Sequence, residues 1–136
     1  MRAEDLPAFF EELDEWAASR PLPYQTVAYG AHPDQTLDLR LPAGGARGLA
    51  LVLHGGLWRA PFTGRNTAAI AIALTEDGWA TANVEYRRLG PGAWRPMLDD
   101  VLEARRALTG FERVVAVGHS AGGHLALFLA AEGAVD

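Results

Sequence analysis

The sequence predicts an α/β protein: a mostly parallel sheet with an antiparallel hairpin on its N-terminal side. Three observations carry this. Apolar runs at residues 48–56, 80–88 and 113–118 each lead into a segment with helical spacing. The first two of those segments stop at glycines, Gly78 and Gly110. Ahead of them, "YQTVAYG" and "QTLDLRLP" alternate in polarity around the turn residues "AHPD". Strand followed by helix, three times over, implies right-handed crossovers in a parallel sheet.

Taken in order, residues 4–19 place Leu6, Phe9, Phe10, Leu13, Trp16 and Ala17 on one helical stripe, with carboxylates on the outer face. Pro21 and Pro23 end that helix. Residues 24–30 and 35–42 form the hairpin, and "PAGGAR" is a surface loop. "GLALVLHGG" lacks alternation and ends in glycines, as a strand buried on both faces does. A helix over 63–77, a strand over 80–88 and a helix over 94–108 follow. Asp99 and Asp100 are read as favourable first-turn charge after Pro96. "RVVAVG" is the third buried strand, and 121–132 the last helix. No repeat, low-complexity tract or linker divides the chain. One domain spans 1–136, with an N-terminal helix in 1–20 and the sheet with its helices in 24–136.

Composition narrows the chemistry. The chain is 49% hydrophobic with net charge −5, which gives no basic footprint for nucleic acid or anionic lipid. All 12 cationic residues are arginine, so Schiff-base lysine chemistry and a P-loop are excluded. The absence of cysteine removes disulfides, thiolate metal sites and a cysteine nucleophile. The four histidines show no metal-ligand spacing, so no metal is expected. The acidic N-terminus lacks a signal peptide's apolar stretch, and the apolar C-terminal segment is interrupted by polar residues and glycines. The expected setting is the cytoplasm, without a membrane partner.

Two motifs point to a reaction. GHSAG, residues 118–122, lies between a buried strand and a helix, the context of a nucleophile elbow. There a serine sits on a tight strand-to-helix turn, and the residues two before and two after it must lack bulk. Gly118 and Gly122 meet that demand around Ser120. The competing reading is a tight turn in a nucleotide-binding type of sheet. The second motif is HGGLW, residues 54–58, at the end of the first buried strand. Backbone N–H groups there and at Ala121 face the region where negative charge would develop in acyl transfer. Both motifs lie at carboxyl ends of parallel strands, where open α/β sheets bind ligands.

HGGLW, NVEYRR and GHSAGGHLAL, in that order and preceded by "YGAHPDQTLDLRLP", resemble the N-terminal half of an α/β-hydrolase. The likeness is to the branch of kynurenine formamidase-like enzymes and small carboxylesterases of the HGG-W type, and it covers about residue 24 onward. The resemblance implies a cofactor-free hydrolase acting on a small ester or amide substrate. It implies Ser120 as nucleophile and Gly55, Gly56 and Ala121 as oxyanion hole. The family's acid and histidine come later in the chain than the serine. After Ser120 this chain holds only His124, Glu132 and Asp136 of those types. The fold expected is therefore α/β-hydrolase-like and truncated after the elbow helix.

Other residues carry weaker expectations. His54 orders the glycine loop through its ring, and His119 and Trp58 are candidate pocket residues. Trp58, Phe62 and Trp94 either line an acyl or aryl pocket or simply pack. His124 is expected to be packed and hydrogen-bonded. The N-terminal helix either docks on the body or covers the mouth of the site. Arg87 and Arg88 make a surface ion pair or clamp a substrate carboxylate. The strand over 113–118, apolar on both faces, would leave an open sheet edge, so a homo-oligomer or a complementing chain is expected there. The rival function is a non-catalytic module that associates through that edge.

Overall fold

The computed structural model describes residues 2–59, 61–90 and 92–136, apart from the side chains of Ala3 and Leu6. Helix α1 (Leu6–Ala18) follows a short 3-10 turn, has Pro7 in its first turn and ends ahead of Pro21. Strands β1 (Gln25–Ala28) and β2 (Thr36–Arg40) form the antiparallel hairpin, with Gln25 opposite Leu39 and Ala28 opposite Thr36. Strand β3 (Leu49–Leu53) is buried at every position, as is β4 (Ala80–Val84). Helix α2 (Ala68–Glu76) lies between them, preceded by a 3-10 turn at Gly64–Thr67. Helix α3 (Trp94–Ala107), strand β5 (Val114–Gly118) and helix α4 (Ala121–Ala131) complete the described chain.

The five strands lie in the order β1-β2-β4-β3-β5. β3 is parallel to both β4 and β5, and β2 is antiparallel to β4. That order positions the site. The chain moves from β3 one way to β4, then back across β3 to β5. Right-handed connections in opposite directions put α2 on one face and α3 on the other. The contacts agree: α2 packs with α1, and α3 packs with α4. The loops leaving β3 and β5 therefore diverge to opposite faces and open a crevice at their carboxyl ends.

The core is aliphatic. Leu49, Leu51 and Leu53 alternate with Ala50 and Val52 on β3, all fully buried, because helices cover both faces. Met97, Leu98, Val101 and Ala104 press one face of α3 onto the sheet. The second face is fastened by polar side chains of β4. Thr81 shares a hydroxyl hydrogen bond of 2.8 Å with Thr75 of α2. Asn83 accepts from Thr67 Oγ1 at 2.8 Å and donates to Gly64 O at 2.6 Å. No described strand covers the outer side of β5; only its first residue is paired, Val114 N donating to Asp136 Oδ2 and Asp136 N to Val114 O, each at 2.7 Å.

Asp100 corrects an expectation. The helix begins at Trp94, so Pro96 lies within its first turn and Asp100 in its second, 1% exposed. Its carboxylate takes both Arg87 Nε (2.9 Å) and Arg87 Nη2 (2.7 Å), with Gln35 Nε2 at 2.8 Å. A buried charge persists only when so paired. Arg88, 11% exposed at its side chain, bridges Glu85 and Asp34. The two arginines are thus internal ties between the hairpin, β4 and α3.

Candidate active site

Ser120 occupies the corner between β5 and α4 with φ +53° and ψ −115°, a conformation that L-residues rarely hold. Such strain costs on the order of 1–3 kcal/mol and persists only where the surroundings enforce it. The surroundings here are backbone. A Cβ on Gly118 would run into the Gly122 carbonyl, and one on Gly122 into the Leu53 carbonyl. Gly122 N donates to His119 O and Gly123 N to Ser120 O, each at 2.9 Å, closing the first turn of α4. The serine is left exposed at the top of the sheet.

The loop leaving β3 meets this corner. A Cβ built on Gly55 would lie 2.7 Å from His119 O and 3.0 Å from the Ser120 Cβ, so glycine alone permits the approach. Gly56, Leu57 and Trp58 then take three successive positive φ values, +115°, +53° and +59°. Arg59 N closes this turn on Gly56 O at 2.9 Å. Among the described residues, the amide N–H groups of Gly55, Gly56 and Ala121 have no hydrogen-bond partner.

Side chains beneath the loop hold it. His54 is fully buried; its Nδ1 lies 2.7 Å from Gly55 O, and since a carbonyl only accepts, Nδ1 carries the proton. In a trans peptide the Gly55 carbonyl and the Gly56 N–H point opposite ways, so this bond turns the Gly56 amide away from the ring. The His54 ring stacks on Tyr86 (centroids 4.4 Å apart, 7° between planes), and Tyr86 OH donates to His54 O at 2.6 Å. Burial pushes the Tyr86 hydroxyl well above its ordinary value, which keeps it a donor. Glu85 sits 3.5 Å from His54 Nε2, an ion-pair distance without an aligned hydrogen bond. It also accepts from Gly64 N and pairs with Arg88. Burial alone would raise the Glu85 carboxyl, but His54, the Gly64 N–H and Arg88 outweigh it and hold the group below its ordinary value.

The serine opens into a pocket of about 160 Å³ walled by Phe10, Gly55, Gly56, Leu57, Phe62, Asn66 and His119. Larger hollows exist, one of about 350 Å³ between Arg105 and Glu132 and one of about 500 Å³ on the outer face of α4. Neither is lined by the serine, so size does not mark the site. Among the described residues no cluster of His, Asp and Glu is arranged to hold a metal, and no helix is long and apolar enough to cross a membrane.

The sequence profile of BD-FAE matches residues 37–136. The chain belongs to the BD-FAE family. Solved structures similar to this BD-FAE chain include a protein of Silicibacter sp. tm1040 provisionally assigned as a thioesterase, at 28% identity and TM-score 0.78 over 93% of this chain and 50% of that one. Esterase B of Lactobacillus rhamnosis shares 26% identity with TM-score 0.65, over 90% of this chain and 45% of its own. The esterase of Pyrobaculum calidifontis, at 18% identity and TM-score 0.72, matches 100% of this chain and 51% of its own, a likeness of fold. The BD-FAE chain spans about half the length of these structures. No curated protein matches the sequence. The fold is that of an α/β-hydrolase.

Within this fold the named residues separate. Ser120, Gly55, Gly56 and His119 line one pocket. His54 lies below it, and Trp58 faces an adjoining hollow of about 250 Å³ with Trp94, His124 and Phe128. His124 is exposed and stacks on Trp58 at 5.8 Å, where the sequence suggested a packed, hydrogen-bonded residue. The sequence assigns no role to three contributors, Leu57, Asn66 and Glu85, although Leu57 lies in HGGLW and Glu85 in NVEYRR. Asn66 is the nearest to legible, since Thr63 and Asn66 form a reciprocal cap at the 3-10 turn. Glu85 acts through contacts 21 and 31 residues away in sequence, to Gly64 and His54, which no local pattern reports.

Proposed function

We propose that this chain supplies the nucleophile and oxyanion hole of a serine hydrolase acting on small carboxylic esters or arylamides. Ser120 Oγ attacks the substrate carbonyl, and the negative oxygen is received by the amides of Gly55, Gly56 and Ala121. The alcohol or amine leaves with a proton, and water then releases the acid from the acyl-serine. The observation that carries the reading is the strained Ser120 held within 3.0 Å, Cβ to Cβ position, of a glycine loop with unpartnered amides. Donors already aimed at the developing charge cost no reorganisation during the reaction. The assignments of thioesterase and esterase among relatives above 25% identity support the ester class. The formamidase-like likeness of the HGGLW and GHSAG motifs supports including arylformamides.

By the family's order of serine before acid and histidine, the proton acceptor is assigned to a histidine of a complementing segment along the open edge of β5. The four histidines support this. His32 Nδ1 accepts from Asp34 N, His54 is buried on Gly55 O, His119 meets Phe10, and His124 lies on Trp58. We read residues 1–136 as one incomplete α/β-hydrolase domain working in the cytoplasm. The same histidine placement favours a second reading, a non-catalytic module that associates through β5.

Ser120→Ala in the full-length gene product is expected to abolish ester turnover and labelling by a fluorophosphonate. Turnover unchanged by that substitution overturns the hydrolase reading. A wild-type protein that neither turns over esters nor takes the label favours the module.

A further inference from the structure

We propose that Phe10 is the wall that sets the size of the acyl group admitted beside Ser120, so that α1 governs acyl-chain selection. The inference rests on the hydrolase reading of Ser120. The other walls belong to the sheet's own loops and turns, Leu57 included, which lies in the loop continuing β3. Gly55 and Gly56 continue β3, Phe62 lies against Gly56, and Asn66 sits in the turn that Asn83 and Glu85 fasten to β4. Phe10 alone comes from outside that framework. Its ring meets the His119 ring edge-on at 6.1 Å (65°) and is backed by Phe9 at 5.8 Å (63°).

Helix α1 is held by packing on α2 and by the Asp14–Arg65 pair at 2.9 Å. Arg65 is 77% exposed at its side chain, and such pairs hold weakly. Phe10 is thus the wall whose position depends least on the sheet. The acyl group is the part of the substrate it screens, because that group stays bonded to Ser120 through both halves of the reaction. A pocket of 160 Å³ holds about five groups of water size, which suits a short acyl chain.

The test is the ratio of kcat/KM for p-nitrophenyl octanoate to that for the acetate, measured on the full-length gene product. Phe10→Ala is expected to raise that ratio at least tenfold, about the lower end of what one methylene contributes in an apolar pocket. Phe10→Trp is expected to lower it. A ratio within one preparation is independent of the fraction folded, so a destabilised variant still reports. An unchanged ratio in both variants, with Ser120→Ala inactive, overturns the role of Phe10 and leaves the nucleophile standing. Full turnover by Ser120→Ala removes the hydrolase reading, and this inference with it.

Discussion

The loops leaving β3 and β5 face one pocket yet are held in place by different physics. The Ser120 corner is shaped by backbone sterics: Gly118 and Gly122 leave no room for a methyl group, and the serine strains to fit. The Gly55–Trp58 loop is shaped by polar side chains just past the end of β4, with buried Tyr86 and half-buried Glu85 against His54, which grips Gly55. A corner built on excluded volume tolerates no added atom. A loop built on hydrogen bonds loses stability bond by bond. The first should fail abruptly on mutation and the second by degrees.

The largest expected effect follows from the sterics. Gly122→Ala drives a Cβ into the Leu53 and His54 carbonyls, neither of which is a flexible side chain. Since single substitutions rarely exceed about 4 kcal/mol, a loss at or above that value in denaturant melts would mark the corner as rigid. A loss under 1 kcal/mol would show that the corner yields, and the contrast between the loops would go.

The polar loop offers the next two tests. Glu85→Gln removes the charge from bonds to Gly64 N and Arg88 and is expected to cost about 2 kcal/mol near neutral pH. The sign with pH is determined by the depressed value of Glu85. Its contribution is complete above the unfolded glutamate value of about 4.3 and disappears as pH falls through the lower folded value. Melts of the two proteins should therefore converge at acid pH; a constant gap would mean that Glu85 acts by packing. Tyr86→Phe strips the donor from His54 O within the buried stack and is expected to cost about 1.5 kcal/mol. No change in the melt would mean that the hydroxyl does not anchor the loop.

The same division explains what could be read from the sequence. The Ser120 corner was legible because steric demands write themselves locally, as glycines two residues either side of a serine between an apolar strand and a helix. The strand and helix succession was legible for the same reason, since each apolar run and its closing glycine are contiguous. Asp100 was misread because its charge was assigned to the first turn of a helix predicted to start at residue 94, whereas it lies six residues in, on the buried face that meets Arg87. The supports of the glycine loop were not legible: Glu85 and Tyr86 resemble ordinary strand-end residues until the sheet sets β4 beside β3. Phe10 is intermediate. Its helix was predicted, but not which of the apolar residues on the stripe would reach the serine.

The smaller effects carry the opposite sign. Ser120→Gly should relieve the positive φ and, after the entropy glycine restores to the unfolded chain, leave a net gain of about 1 kcal/mol. Leu57 holds the same φ, +53°, but is 56% exposed in a turn closed by the single Arg59 N bond. Its left-handed cost is about 1 kcal/mol, most of it offset by glycine's unfolded-state entropy, so Leu57→Gly should gain about 0.5 kcal/mol or less. Thermal melts of the two glycine variants side by side measure how much strain each loop stores. A gain at residue 57 as large as that at 120 would make the β3 loop a strained element in its own right. A clear gain at 120 with almost none at 57 would locate the stored strain at the hydroxyl that faces the pocket.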